Sequence, residues 1–234
     1  MYPFWVPKLH PDIQCRIDYV GHEGEPVLVV DNLFADAEAL VDMAEAYGQF
    51  NQADAFYPGV RATAPELYAQ GVRHYLSEVI HHAFGLQSEN VTGMSVNFSL
   101  VTLPPGQLIP LQAIPHFDSI KPSELAAVHY LCGADKGGTS IYRHRSTGFE
   151  SVNAERVDQY KKIVRDEMES IPYQPKYMNG SNEFFERIVS YEAVFNRLVM
   201  YRCTSLHSGN IAPDFILDSN PRTGRLTLNT FLFS

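Results

Sequence analysis

The run Pro115-His116-Phe117-Asp118 carries the strongest chemical signal in the sequence. On an extended backbone, side chains two apart point the same way, so His116 and Asp118 project together while Phe117 points to the other side. An imidazole and a carboxylate on one face make two-thirds of a two-His-one-carboxylate set. Such a set holds a divalent metal on three neighbouring positions and leaves the others open. The third ligand has to come from elsewhere. His207, in Leu206-His207-Ser208-Gly209, follows the strand-like run NRLVMYRC (196–203), which places it to face an earlier strand. An HxD pair alone is a weak signal in a chain with nine histidines, so the surrounding motifs decide its meaning.

Two of those motifs are informative. In Arg225-Leu226-Thr227, a guanidinium and a hydroxyl again share one face, and a guanidinium fork with a hydroxyl beside it matches one carboxylate. Gly137-Gly138-Thr139 supplies a tight turn into the next strand. Along the chain the order is HxD, GGT, a strand, His, then RxT.

Positioning these groups falls to the elements around them. Residues 26–30 (PVLVV) read as a short buried strand. Leu33, Ala37, Leu40, Val41 and Ala44 then recur at helical spacing, with Asp36 as a cap and Gly48 as a stop. Pro65 opens a second helix, whose apolar face runs from Tyr68 through Val72 and Leu76 to Ala83, and Gly85 ends it. The period then changes to two: Met94, Val96, Phe98 and Leu100 alternate with polar residues. Further strands are expected over 125–131, 139–143, 197–203 and 225–233, and helical stretches over about 153–169 and 182–195. The expected architecture is α+β, mainly β: an antiparallel double-sheet barrel with helices packed on one outer face. A single domain is expected over 1–234. Residues 1–90 supply the N-terminal strand and supporting helices, and 91–234 the core, with a helical insertion about 150–195.

Composition narrows the classes. The chain has 234 residues, 45% hydrophobic and 19% charged, which excludes disorder. Its net charge of −9 argues against a nucleic-acid or anionic-membrane binder. No segment reads as a membrane span or a secretory leader. The three cysteines, Cys15, Cys132 and Cys203, are widely spaced and lack a CxxC pair, so they read as buried, reduced thiols in a cytoplasmic protein.

The ordered motif set resembles the 2-oxoglutarate- and Fe(II)-dependent dioxygenases, whose core is a double-stranded β-helix or jelly-roll. VLVVDNLFADAEALVDMA is similar to the strand-then-helix entry of the prolyl-hydroxylase-like branch. FYPGVRA, VHYLCGADKGGTSIYRHRSTGFESV and NRLVMYRCTSLHSG resemble an uncharacterised family within that superfamily. The likeness extends over roughly residues 26–233. It implies Fe(II) on His116, Asp118 and His207, and 2-oxoglutarate anchored by Arg225 with Thr227 as its hydroxyl partner. It also implies O2 as the oxidant, with decarboxylation of 2-oxoglutarate to succinate coupled to oxidation of a small-molecule, amino-acid or peptide substrate. Halogenating members carry a small residue at the carboxylate position, so Asp118 implies hydroxylation or a related oxidation. The gap from His207 to Arg225 is longer than usual in the superfamily. That makes IAPDFILDSNPRTG an insertion, in which Arg222 is the competing anchor.

Other residues have two readings each. Tyr130 is a donor to 2-oxoglutarate or a core tyrosine, and Gln112 and Asn97 line the barrel mouth or do not. Arg143, His144 and Arg145 form a solvated edge or an anion-binding rim. Tyr57-Pro58-Gly59-Val60-Arg61 is a substrate lid, or a connection with Gly59 at positive φ. His129 reads as a packing histidine, and His81 and His82 as helix-end residues. Two rival functions stand beside the oxygenase: a zinc-dependent hydrolase on the same barrel, and a non-catalytic jelly-roll binding protein.

Overall fold

The computed structural model describes residues 5–53, 56–170, 172 and 174–234. The chain is mainly β and every strand pairing is antiparallel. The strands are β1 (Gln14–Val20), β2 (Glu25–Asp31), β3 (Asn51–Gln52), β4 (Gly59–Thr63), β5 (Gly93–Val101), β6 (Leu125–Tyr130), β7 (Thr139–His144), β8 (Phe185–Tyr191), β9 (Arg197–Arg202), β10 (His207–Gly209) and β11 (Leu226–Phe233). The helices are α1 (Glu38–Tyr47), α2 (Glu66–Phe84) and α3 (Val157–Ser170). Eight strands form one sheet in the order β1-β2-β9-β6-β11-β5-β4-β3, and β10-β7-β8 form a second.

Period-two alternation divides the large sheet between two cores. Leu28 and Val30 of β2, Phe98 and Leu100 of β5, and Leu198 and Met200 of β9 pack under α1 and α2, with Leu40, Tyr68, Val72 and Leu76. The intervening residues Val27, Val29, Val128, Tyr130, Val199 and Tyr201 face the other way, and pack with Ile141 of β7 and Tyr191 of β8. The two sheets therefore meet through one apolar layer. On its far side, the small sheet presents Tyr142 and Phe185 to Tyr160 and Val164 of α3. Among the described residues no helix is long and apolar enough to cross a membrane.

Helix ends follow the expected punctuation. α2 begins after Pro65 and stops at Gly85, whose φ of 71° is left-handed. α1 starts at Glu38, just after the expected cap Asp36. Asn32 turns the chain at φ 54°, the Leu33 N–H is taken by the Asn196 carbonyl, and Asp36 Oδ1 accepts from the Ala39 N–H at 3.2 Å.

Two expectations need correction. The stretch 182–195 is not helical: it holds β8, paired with β7. Phe185, Ile188 and Val189 imitate a helical i, i+3, i+4 pattern because the β7–β8 register shifts. Tyr142 lies opposite Arg187 and Ile141 opposite Val189, which leaves Ile188 as an extra residue. The helical insertion is thus α3 alone. Gly59, in turn, lies in β4 and is not at positive φ. Its constraint is close approach, since a Cβ there would come within 1.9 Å of the Leu100 carbonyl oxygen.

Candidate metal centre

Backbone pairing brings the HxD segment to its partner. The His116 N–H donates to the His207 carbonyl at 2.9 Å and the His207 N–H returns the bond at 2.8 Å, so 116 bridges antiparallel to 207. Two residues on, the Asp118 N–H donates to the Cys203 carbonyl at 2.8 Å. The segment thus extends the small sheet beyond β10. Phe117, between the two polar residues, packs with the α3-side core, 5.9 Å from the Tyr160 ring. That anchor turns His116 and Asp118 to the other face.

One ligand atom from each of His116, Asp118 and His207 lies within 4.8 Å of the other two, a spacing that could hold a metal ion. His207 Nε2 stands 3.4 Å from Asp118 Oδ2, and His116 Nε2 3.8 Å from Asp118 Oδ1. The rings of the histidines are 4.4 Å apart. His207 Nδ1–H donates to the Ser205 carbonyl at 2.9 Å, which fixes the tautomer and leaves the Nε2 lone pair for a metal. Desolvation and the neighbouring His207 hold the imidazole of half-exposed His116 below its ordinary value, which favours the neutral form a ligand must have. The Tyr201 ring lies 4.5 Å from His207.

A cationic pocket adjoins this group. Arg225, just ahead of β11, is buried, and its Nη2 donates to the Gly138 carbonyl at 2.9 Å. The double glycine has a physical reason here. A Cβ on Gly137 would come within 1.8 Å of the Asn210 carbonyl oxygen, and one on Gly138 within 1.9 Å of that of Tyr191. The turn therefore seats β7 closely between its neighbours and aims a carbonyl at Arg225. Among the described residues, neither Arg225 Nε nor the buried Tyr57 hydroxyl has a hydrogen-bond partner. Burial raises the Tyr57 phenol, and Arg225, Arg61, Ser99 and Thr227 oppose that rise. Tyr201 is pushed well above its ordinary value by burial and then by Asp118, with Arg225 acting against them. The Asp118 carboxylate and the Arg225 guanidinium thus act on this phenol in opposite directions.

The remaining sequence candidates fall into three groups. Thr227 and Tyr130 are fully buried near Arg225. Thr227 Oγ1 donates to Asn229 Oδ1 at 2.8 Å and the Tyr130 hydroxyl to Thr139 Oγ1 at 2.6 Å. Asn97 lies opposite Asn229 in the β5–β11 pair, whereas Gln112 Oε1 accepts from the Ile109 N–H and closes its own turn. Away from the centre, Arg222 pairs with Asp42 and Glu45 of α1. Arg143 pairs with Glu150 and Glu186, and buried His144 bonds Glu167 of α3 at 2.7 Å. These two residues are structural ties, neither a solvated edge nor an anion rim. Exposed Arg145 bonds the Asn182 carbonyl. His129 packs fully buried between the Tyr68 hydroxyl and Asn196 Oδ1, each at 3.1 Å. Tyr57 is the residue whose role sequence reasoning missed. A turn-rich segment announces a bend, and nothing local to it tells that the ring folds back toward Arg225.

Comparison with known proteins adds the following. The model of a family of unknown function, DUF6445, matches residues 11–232. No curated protein matches the chain. Among solved structures, the chain is similar to SnoN, a non-heme alpha-ketoglutarate-dependent epimerase from nogalamycin biosynthesis (TM-score 0.49, 10% identity, 90% of this chain and 78% of that one). It is also similar to HygX from Streptomyces hygroscopicus with nickel, 2-oxoglutarate and hygromycin B bound (0.47, 10%, 90% and 83%). A third is a Pseudomonas putida prolyl-4-hydroxylase (0.42, 14%, 83% and 82%).

Proposed function

Because the chain belongs to the DUF6445 family, whose function is unknown, its own site has to supply the reading: we propose that the protein is an Fe(II)- and 2-oxoglutarate-dependent oxygenase. In this reading the two facing sheets are the halves of a double-stranded β-helix within one domain. The observation that carries it is a pairing. A two-His-one-carboxylate group stands beside a buried guanidinium whose Nε, like the nearby Tyr57 hydroxyl, lacks a hydrogen-bond partner among the described residues. Buried donors left unmade cost about 1–3 kcal/mol each. The guanidinium Nε–H can only donate, and a carboxylate is the acceptor that suits it best.

The donor set fits the metal. Two neutral imidazole nitrogens and one carboxylate suit Fe(II), although they also accept Zn²⁺. Bound there, Fe(II) would supply open positions at which a 2-oxo acid and oxygen react. The protein's own part is to hold and orient. His116, Asp118 and His207 would be the ligands, and the Ser205 carbonyl keeps His207 in the ligating tautomer. Arg225, with Thr227 and Tyr57, would receive the far carboxylate of 2-oxoglutarate. Tyr130 supports this pocket through the face of its ring, 5.8 Å from Arg225 Cζ. The apolar layer of Val128, Val199 and Ile141 helps to exclude water. Asp118 keeps a carboxylate on the metal, which favours hydroxylation of a small-molecule, amino-acid or peptide substrate. A cytoplasmic setting belongs to the same proposal and agrees with three free thiols, of which Cys132 and Cys203 are buried as expected and Cys15 is exposed.

The test is spectroscopic. Purified anaerobically and given Fe(II) and 2-oxoglutarate, the protein is expected to develop the visible metal-to-ligand charge-transfer band of the chelate, and to form succinate when oxygen is admitted. A folded, metal-loaded protein without that band would rule the oxygenase out. Tight Zn²⁺ with ester hydrolysis would point instead to the hydrolase.

A further inference from the structure

We propose that the protein forms a two-fold dimer by pairing β1 with β1 of a second copy, in an antiparallel register centred on Ile17. The inference stands apart from the oxygenase reading and uses nothing of the metal centre. It starts from the ends of the two sheets. The large sheet ends in β3 and β1, the small sheet in β10 and β8. Unpaired N–H and C=O groups along an edge invite another strand, and proteins blunt such edges with short strands, bulges, charges, Pro or a cover. Three edges follow that rule. β3 is two residues long. β10 is three residues long and is bridged by the His116 segment. β8 carries the register irregularity that leaves Ile188 as an extra residue. β1 differs: it runs seven residues, QCRIDYV, without Pro, Lys or Gly, and pairs with β2 in unbroken register. Among the described residues nothing pairs with its outer backbone edge. The chain ahead of it continues past the end of the strand, where Leu9 bridges Phe34 and the Trp5 indole N–H donates to the Asp36 carbonyl. Tyr19 is 68% exposed, and Cys15 is exposed as well.

This edge is complementary to itself, which is why the occupant is a second copy. With Ile17 on the two-fold axis, Ile17 meets its own counterpart, Cys15 meets Tyr19, Arg16 meets Asp18 and Gln14 meets Val20. Residues directly opposite share a face. Cys15, Ile17 and Tyr19 of both copies therefore join in one apolar stripe on the helix side, where Ile17 already packs. Two Arg–Asp pairs form on the other side. The charges of β1 thus attract across the axis instead of blunting the edge. Arg16 is only loosely held within its own chain: its contacts to Asp18 and Asp31 are both 3.4 Å, and Asp31 is already bonded by Nε and Nη2 of Arg197. Shifting the axis one residue either way would set Arg16 or Asp18 against itself, and like charges directly opposite repel. Charge therefore selects the register, and the contact, being isologous, closes at two copies.

The experiment uses the full chain. Sedimentation velocity over a rising series of protein concentrations is expected to show a monomer–dimer equilibrium. Asp18→Arg sets two cations opposite each other in both pairs and should weaken the dimer about tenfold or more. The double variant Arg16→Asp/Asp18→Arg restores opposite charges and should regain it. Tyr19→Cys reads the register directly and changes only an exposed side chain. It puts a thiol opposite Cys15 of the second copy, at the roughly 4.5–5.5 Å Cα spacing of an antiparallel pair, which a disulfide spans. Mild oxidation should then give a covalent dimer on a non-reducing gel, lost when Cys15→Ser is added. Oxidised wild type should give none, because in this register the two Cys15 residues stand about 13 Å apart along the strands, beyond the reach of a disulfide. A wild type that stays monomeric at every concentration overturns the proposal, as does a dimer that Asp18→Arg leaves unchanged. A double variant with the wild-type circular dichroism spectrum that remains monomeric also overturns it. So does Tyr19→Cys that yields no covalent dimer, or a wild-type chain that cross-links through Cys15.

Discussion

At the scale of single residues, the centre depends on groups whose hydrogen bonds are set before any ligand arrives. His207 donates its Nδ1 proton to Ser205, so His207→Gln should remove a ligand nitrogen and its orientation together. Metal affinity is expected to fall at least about 10-fold, the smallest change usual for disturbing ligand orientation alone, as read by competition with a chromogenic chelator. Arg225→Gln should act differently. In the proposed oxygenase it would take one charged partner from the cosubstrate, worth about 1.5–3 kcal/mol, and so should weaken 2-oxoglutarate about 10- to 100-fold with metal affinity kept. Loss of both together would mean that Arg225 supports the metal group itself. The spacing of His116 and Asp118 was legible because period two is local. That His207 completes the group could be named only as a candidate from sequence, because the pairing that joins 116 to 207 spans most of the small sheet's connectivity. Tyr57 left no such trace, since its role depends on a fold-back toward a residue far along the chain.

At the scale of elements, the turn before β7 does two jobs. Its glycines let β8 and the residue after β10 approach closely, and the Gly138 carbonyl accepts from Arg225. Gly138→Ala would drive a methyl group against the Tyr191 carbonyl. About 1–3 kcal/mol of destabilisation is expected from such overpacking, read as a lower urea midpoint at unchanged slope, together with weaker 2-oxoglutarate binding because Arg225 loses its rest. An Ala variant with wild-type midpoint would show that the strands can part there at little cost. The motif GGT marked this turn correctly, while the strand that crowds it was misread. β8 carries its apolar residues at helical spacing because of a register irregularity, and a sequence pattern cannot reveal pairing with a partner that creates the irregularity. Elements whose periodicity is undisturbed, such as α2 and β5, were legible nearly to their ends. Short strands such as β3 and β10, two and three residues long, have too few residues to show a period at all.

At the scale of the whole molecule, the large sheet is held to its helices through a buried polar link as well as through apolar packing. His129 on β6 lies against the Tyr68 hydroxyl of α2 and Asn196 Oδ1 ahead of β9. Asn196 in turn bonds both the N–H and the carbonyl of Phe34. Because the Asn196 oxygen can only accept, His129 Nε2 carries the proton and Nδ1 accepts from Tyr68, so the ring is neutral with both nitrogens used. Burial lowers this histidine to about 4, opposed only by the Asn196 bond. In the unfolded chain it titrates near 6.5. The unfolded state therefore takes up the proton first as pH falls, and stability drops with it. The contribution is complete above about pH 6.5, declines between about 6.5 and 4, and levels off below. Over the whole window it amounts to about 3 kcal/mol, and from pH 7 to 5 to about 2 kcal/mol. Urea unfolding of wild type and His129→Gln at those two pH values isolates it. The variant starts from its own stability at pH 7 and should lose about 2 kcal/mol less than wild type on going to pH 5. Equal losses would mean that the ring is already protonated in the fold, and that the link between β6, α2 and the Asn196 turn is looser than its hydrogen bonds imply.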